Sequence, residues 1–158
     1  MSVTLETSDW QRILLLPPTS RDAVIYEQIL NTRGLETVVC RNIAQVCREI
    51  DSGAGLLFIA EEALESDQNF QFENYLRCHA PWSDLPLLVL TLPDRPASDS
   101  LQRLMLSANV TLICRPVDVG LLVNAVQSCL RDRRRQYTVH RLLDSPTAPA
   151  DAAMIVSN

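Results

Sequence analysis

The sequence predicts a single doubly wound α/β domain: a five-stranded parallel sheet in strand order 2-1-3-4-5, helices on both faces, and an extended helix at the C-terminal end. Three observations predict it. Short continuous apolar runs at Ile13–Leu16, Leu56–Ile59 and Leu87–Leu90 fit strands buried on both faces, as a parallel sheet requires. Segments of helical period alternate with these runs, so each crossover between strands has its own helix. At 158 residues and 47% hydrophobic, the chain is long enough for one well-buried core and too short for two.

Each element has its own signals. Pro17-Pro18 closes the first strand; Thr19 or Ser20 caps the helix that follows, Asp22 lies in its first turn, and Gly34 stops it. Glu36–Val39 is the second strand. Asn42 caps a helix whose Ile43, Val46, Cys47 and Ile50 are spaced for one apolar face, and Gly53 ends it. After the third strand, a helix is predicted over about Phe70–His79, and the turn-prone Ser83-Asp84 with Pro86 leads into the fourth strand, closed by Thr91. Ser98–Ser107 is predicted as a short helix and Val110–Ile113 as the fifth strand, ending at Cys114-Arg115-Pro116. Asp118 caps the last helix, which buries Leu122, Ala125, Val126 and Cys129 and extends toward Leu143. A heptad begun at Leu122 meets Cys129 and then Gln136, which does not establish a coiled coil. The domain organisation is therefore an N-terminal extension at 1–11, the domain at 12–137, and a helix extension with a Pro/Ala-rich linker or tail at 138–158.

Composition narrows the function. The net charge is −5, which argues against a nucleic-acid or anionic-membrane binder. All 14 basic residues are arginine. The first eleven residues have no signal-peptide character, and no apolar stretch is long enough to span a bilayer, so a cytoplasmic protein without membrane insertion is expected. Five cysteines with no C-x-x-C pair indicate neither a disulfide framework nor a zinc site; mostly buried thiols are expected. After the first strand, Pro17-Pro18 removes two amide donors where a nucleotide binder needs glycines, and no cofactor is expected.

Ligands of such sheets bind beyond the carboxyl ends of the strands, so the residues there carry the functional question. They are Pro17 and Pro18, Ala60 and Glu61, Thr91, and Arg115 with Pro116. The fourth-strand run ending at Thr91, the cation-proline pair Arg115-Pro116, and the stretches Ala80–Pro86, Ala108–Leu112 and Arg133–Tyr137 together resemble the receiver domain of two-component signalling, a CheY-like domain of flavodoxin type. More narrowly, they resemble the degenerate receiver-like module at the N-terminus of certain bacterial sensor and hybrid histidine kinases. The resemblance covers roughly Arg12 to Tyr137.

A receiver places an acidic pair after strand one, a phospho-accepting aspartate after strand three, Thr or Ser after strand four, and Lys-Pro after strand five. Here the acidic pair becomes Pro17-Pro18, the acceptor becomes Ala60 or, with a one-residue slip, Glu61, and the lysine becomes Arg115. Magnesium needs hard oxygen ligands that prolines do not supply, and phosphoryl transfer needs the metal and the acceptor together. The resemblance thus implies a non-catalytic module with no bound metal, working through a protein partner or adjacent sensory and kinase domains. It also implies pairing of two copies through the exposed face of the last two helices. Arg115 is expected to pair with Glu61 or Glu62, leaving Glu61 as a standing negative charge. The alternatives are an atypical phosphorylatable receiver, or a small-ligand or redox sensor.

Other signals have plainer readings. His140 lacks the adjacent acid of a phospho-accepting histidine and is expected to be an ordinary helix-end residue. Arg131, Arg133, Arg134 and Arg135 are candidate contacts for an acidic partner, against the plainer expectation of a solvated helix end. Trp82 is a candidate docking aromatic. Cys114 and Cys129 are expected to be structural thiols, although Cys114 stands beside Arg115.

Overall fold

The computed structural model describes residues 11–67, 70–78 and 84–144. Its elements run β1 (Ile13–Leu16), α1 (Ser20–Thr32), β2 (Thr37–Val39), α2 (Ile43–Asp51), β3 (Leu56–Ala60), α3 (Glu61–Glu65), α4 (Gln71–Arg77), β4 (Pro86–Thr91), α5 (Asp99–Ser107), β5 (Asn109–Cys114) and α6 (Val119–Asp144). The strands form one sheet in the order β2-β1-β3-β4-β5, all pairings parallel. This is the predicted topology.

Strand alternation divides the core in two. Leu14, Leu16, Leu57, Ile59, Leu87 and Val89 pack against Ile43 and Val46 of α2, Phe72 of α4, and Leu101 and Leu104 of α5. The intervening residues Ile13, Leu15, Leu56, Phe58, Leu88 and Leu90 pack against Leu30 of α1 and Leu122, Val126 and Cys129 of α6. No residue of β1 or β3 is more than 7% exposed, which is why these strands read as continuous apolar runs.

The predicted caps are formed. Thr19 accepts from the Asp22 amide. Asn42 accepts from the Gln45 amide while the Gln45 side chain accepts from the Arg41 amide, a reciprocal arrangement that satisfies two donors at once. Asp118 caps α6 by accepting from the Leu121 amide, and Ser98, expected as the first residue of its helix, is instead the cap of α5, accepting from the Leu101 amide. Gly34 and Gly53 end their helices at φ +76° and +106°.

Three expectations need correction. The segment after β3 holds two short helices rather than one; α3 is five residues, too short to show a period, and is held by buried Leu64. Phe70, in the left-handed region at φ 50°, precedes α4, and the Asp67 carboxylate caps that helix by accepting from the Gln71 and Phe72 amides. Cys114 is exposed, not a core thiol, because β5 is an edge strand whose outer positions Thr111 and Leu112 are also uncovered. Arg133 is the third correction.

Arg133 continues the buried stripe of α6, falling at the next inward position after Leu122, Val126 and Cys129, and is only 1% exposed. Its Nε donates to the Ala54 carbonyl at 2.9 Å, its guanidinium reaches Gln136 Oε1 at 2.8 Å, and it stacks on the Tyr137 ring at 4.7 Å. It is therefore unavailable to a partner. Gln136 adds two bonds to the Asp84 backbone, accepting from its amide at 2.9 Å and donating to its carbonyl at 2.7 Å. These two side chains fasten the 26-residue α6 to the chain just ahead of β3 and β4. Replacing Arg133 by Ala empties a buried site and leaves the Ala54 carbonyl unpaired, and should lower the unfolding free energy by about 2–4 kcal/mol in urea titrations.

Candidate functional site

The candidate site lies along the carboxyl ends of the strands. Register fixes its geometry: Leu16 pairs with Ile59, Ala60 with Leu90, Leu90 with Ile113, and Thr91 with Cys114. Pro17, Ala60, Leu90 and Ile113 consequently share one level, with Glu61, Thr91 and Cys114 one step beyond. All the sequence-predicted strand-end residues converge on this rim.

What they form is a set of closed pairs. The Arg115 guanidinium donates to Glu62 Oε1 at 2.6 Å, joining the chain after β5 to α3 across the end of β4. Of the two acids expected as its partner, the structure selects Glu62. Burial alone would raise the Glu62 carboxyl, but the Arg115 hydrogen bond, a backbone hydrogen bond and the charges of Arg115 and Arg95 hold it below the usual carboxylate range. Arg115 Nε is buried with no hydrogen-bond partner among the described residues. The Arg115 amide also donates to the Thr91 carbonyl at 3.1 Å. Thr91 Oγ1 turns to the Ile113 carbonyl at 3.4 Å, and the Arg115–Pro116 peptide bond is cis.

Glu61 is only 3% exposed and points elsewhere. It accepts from the amide of Ser98, the residue capping α5, at 2.7 Å. A buried carboxylate thus fixes the N-terminus of α5 to the end of β3. Sequence reasoning found the residue but not this bond, because nothing in the order of residues pairs Glu61 with Ser98 until β3 and β4 are adjacent.

Two further acids stand nearby: Asp22 accepts from the Thr19 hydroxyl at 2.9 Å, and Asp67, which lines a cavity with Pro17, Pro18 and Glu62, is taken up by the Gln71 and Phe72 amides. Tyr26, which sequence reasoning did not single out, packs edge-on against Phe58 at 4.9 Å. Its phenol is pushed up by burial and then by Asp22, against the opposing charge of Arg115. Prolines at 17 and 18 offer only carbonyl oxygens and Ala60 only a methyl group, so the side chains here do not fit the oxygen set a magnesium ion needs. Among the described residues no group of three or more His, Cys, Asp or Glu side chains could hold a metal ion.

The other predicted residues lie away from the rim. Arg131, Arg134 and Arg135 are exposed on α6, and Arg135 approaches Asp132 at 3.7 Å. His140 is half-buried in the same helix. Trp82 falls outside the described residues. Burial pushes the thiols of Cys40, Cys47 and Cys129 up to about 11, so at neutral pH these three are protonated and poorly reactive. Cys78 and Cys114 are exposed. No helix of the described residues is long and apolar enough to cross a membrane.

No protein-family model matches the chain, and no curated protein matches it. Solved structures do. The N-terminal domain of a response regulator/sensory box/GGDEF three-domain protein from Carboxydothermus hydrogenoformans superposes with a TM-score of 0.63 at 18% identity, covering 80% of this chain and 98% of that one. The signal receiver domain of a signal transduction histidine kinase from Syntrophus aciditrophicus gives 0.62 at 21% identity, covering 77% and 91%. A CheY-like response regulator receiver domain protein from Methanospirillum hungatei JF-1 gives 0.57 at 15%, covering 80% and 98%. At these identities the likeness establishes the fold, which is CheY-like and of flavodoxin type.

The Arg115–Glu62 pair makes a signed prediction. Because the folded-state carboxyl lies below its unfolded value, its contribution is fully present above the unfolded pKa and is lost as pH falls through the folded one. Glu62→Gln should therefore be less stable than the wild type at pH 7, by less than about 1 kcal/mol for so exposed a pair. The two urea midpoints should converge as the pH falls below the ordinary carboxylate range and Glu62 becomes protonated in the folded state.

Proposed function

We propose that this chain is a receiver-like module of bacterial two-component signalling that carries no aspartyl phosphate and works by docking to protein, either adjoining sensory and kinase domains or a separate partner. The structural neighbours, one from a histidine kinase and one from the N-terminus of a multidomain sensory protein, support that setting. The single observation that carries the reading is the Arg115–Glu62 pair at a rim where Pro17, Pro18 and Ala60 stand at the positions of a receiver's acidic residues. A receiver switches by making and breaking contacts to a phosphoryl group. Here a fixed cation and a fixed carboxylate already neutralise one another, and Glu61 holds α5 through Ser98 as a standing anion.

The test is a titration with beryllofluoride, a phosphoryl mimic, in magnesium. No heat of binding and no rise in melting temperature are expected. Binding that vanishes when the magnesium is chelated would overturn the proposal and restore the phosphorylatable receiver.

Docking needs a surface, and α5, β5 and the start of α6 provide apolar side chains for one. Leu106 is 90% exposed and Leu121 66%, with Met105, Leu112 and Val119 also uncovered. Apolar groups grouped in this way favour burial against another surface. The occupant proposed here is a second copy, because receivers commonly pair through this face. Sedimentation equilibrium should show a dimer, and Leu106→Glu with Leu121→Glu should weaken it at least about tenfold. A strict monomer at high concentration would remove this part of the proposal.

A further inference from the structure

The two outer strands of the sheet are guarded differently. β2 is three residues long and stands between the charged side chains of Glu36 and Arg41, and the Arg41 amide beyond it is already taken by the Gln45 side chain. β5 is six residues long, and Asn109-Val110-Thr111-Leu112-Ile113-Cys114 contains no charge and no proline. Its register against β4 runs unbroken from the Pro86–Asn109 pair to the Thr91–Cys114 pair, so no bulge bends it away. Edge strands commonly carry such devices because a free edge templates another strand. β5 has none of them, and Thr111, Leu112 and Cys114 are exposed.

Alternation decides which backbone groups of β5 face outward. The Arg115 amide donates to the Thr91 carbonyl at 3.1 Å, so residues 109, 111, 113 and 115 turn their amides and carbonyls toward β4. Val110, Leu112 and Cys114 therefore turn theirs away from the sheet. Apolar side chains flank this edge on both faces. On α5, Arg103 reaches Glu73 of α4 at 2.9 Å, and Met105 falls on the opposite side of the helix, toward β5. On α6, Gln127, Leu130 and Arg134 line the hollow beside Gly34 and Leu35, which leaves Leu121 on the flank toward β5. Both Met105 and Leu121 are exposed.

We infer that two copies join edge to edge, their β5 strands running antiparallel about a two-fold axis at Leu112, so that Leu112 pairs with itself and Val110 pairs with Cys114 of the other copy. The outward amides of Val110, Leu112 and Cys114 then all find carbonyl acceptors, and the two five-stranded sheets become one. A second copy fits this edge better than a lone extended peptide. Strand addition alone covers little of Met105 and Leu121, whereas a stable interface needs about 800 Å² per partner. A two-fold axis normal to the sheet brings α5 toward α5 and α6 toward α6, which adds those side chains to the contact. An uncharged strand also faces itself without repulsion. Such pairing presupposes the dimer proposed above and differs from it in placing the decisive contact in the main chain.

Amide hydrogen exchange on the full chain, read by ¹⁵N NMR at concentrations below and above the dimer dissociation constant, tests it. The amides of Val110, Leu112 and Cys114 should exchange at least about tenfold more slowly in the dimer, with Thr111 and Ile113, bonded to β4 in either state, as the internal standard. Leu112→Pro removes the donor at the two-fold axis without touching the β4 ladder and should weaken the dimer at least about tenfold, while Leu112→Ala, which keeps the amide, should weaken it less. A dimer in which the three outward amides exchange as fast as in the monomer would overturn the main-chain pairing and leave a side-chain dimer standing. Equal weakening by the two substitutions, with circular dichroism showing both variants folded, would overturn it too. If Leu112→Pro does not fold, the exchange comparison decides alone. A strict monomer at high concentration would remove this pairing together with the dimer it presupposes.

Discussion

Strands β1 and β3 bury every side chain on both faces, and that double burial dictates where everything else can sit. Apolar side chains pointing both ways oblige the sheet to carry helices on each side, and the right-handed crossover then fixes which helix covers which face. With both faces sealed, polar chemistry is left only the strand ends. The same geometry that makes the core makes the rim, and it delivers Pro17, Ala60, Thr91 and Arg115 to one place whether or not they work together.

At that rim the conspicuous element is α5, which is held by acids at several points. Glu61 binds the amide of its capping residue, Glu65 meets Arg95 in the loop leading to it at 2.9 Å, and buried Glu73 receives both Arg77 at 2.8 Å and Arg103 of α5 at 2.9 Å. Arg103 also stacks on Phe70 at 4.2 Å. The Glu73 pairs matter most, because Glu73 is almost wholly buried and removing one arginine would leave its charge short of a partner. An element fastened by three carboxylates from α3 and α4 resists displacement. That fits a module whose conformation is set when it folds and not by a later modification.

The fold was legible because double burial writes itself into sequence as unbroken apolar runs, and because Thr19, Asn42, Ser98 and Asp118 mark helix starts through local chemistry. The element missed, α3, is too short for a period, and its reason for existing is Leu64 reaching a core assembled from distant strands. The site was legible in its members and not in its bonds. Arg115 was expected to find an acid, but the choice of Glu62 over Glu61 depends on Glu61 being taken by Ser98, an amide 37 residues away. For Arg133 a signal was present: the residue stands in phase with Leu122, Val126 and Cys129, and a cation in a buried stripe calls for fixed acceptors nearby. The exclusive use of arginine belongs to the same logic, since the planar fork of Arg12 and Arg133 binds backbone carbonyls where a lysine would bring a single compact charge.

The two ends of β3 tie the rim to the long helix. Just ahead of the strand, Ala54 accepts from Arg133 of α6; just beyond it, Glu61 accepts from the amide ahead of α5. Six residues separate these anchors, and the five that form β3 make about 17 Å of fully buried strand. A strand packed on both faces and hydrogen-bonded on both edges cannot slide without breaking its ladders to β1 and β4, so it acts as a strut and not as a lever. Movement of α6 relative to the sheet would have to begin at its exposed first turn, near Val119 and Leu121, and stop at the Arg133–Gln136 fastening. The part of α6 beyond that point, where Val139, Leu142 and Leu143 stand exposed, then leaves the domain in a direction set by the sheet and unaffected by small shifts at the rim. A partner or following domain attached there would receive a fixed orientation, which suits a module that positions others more than one that relays a chemical event.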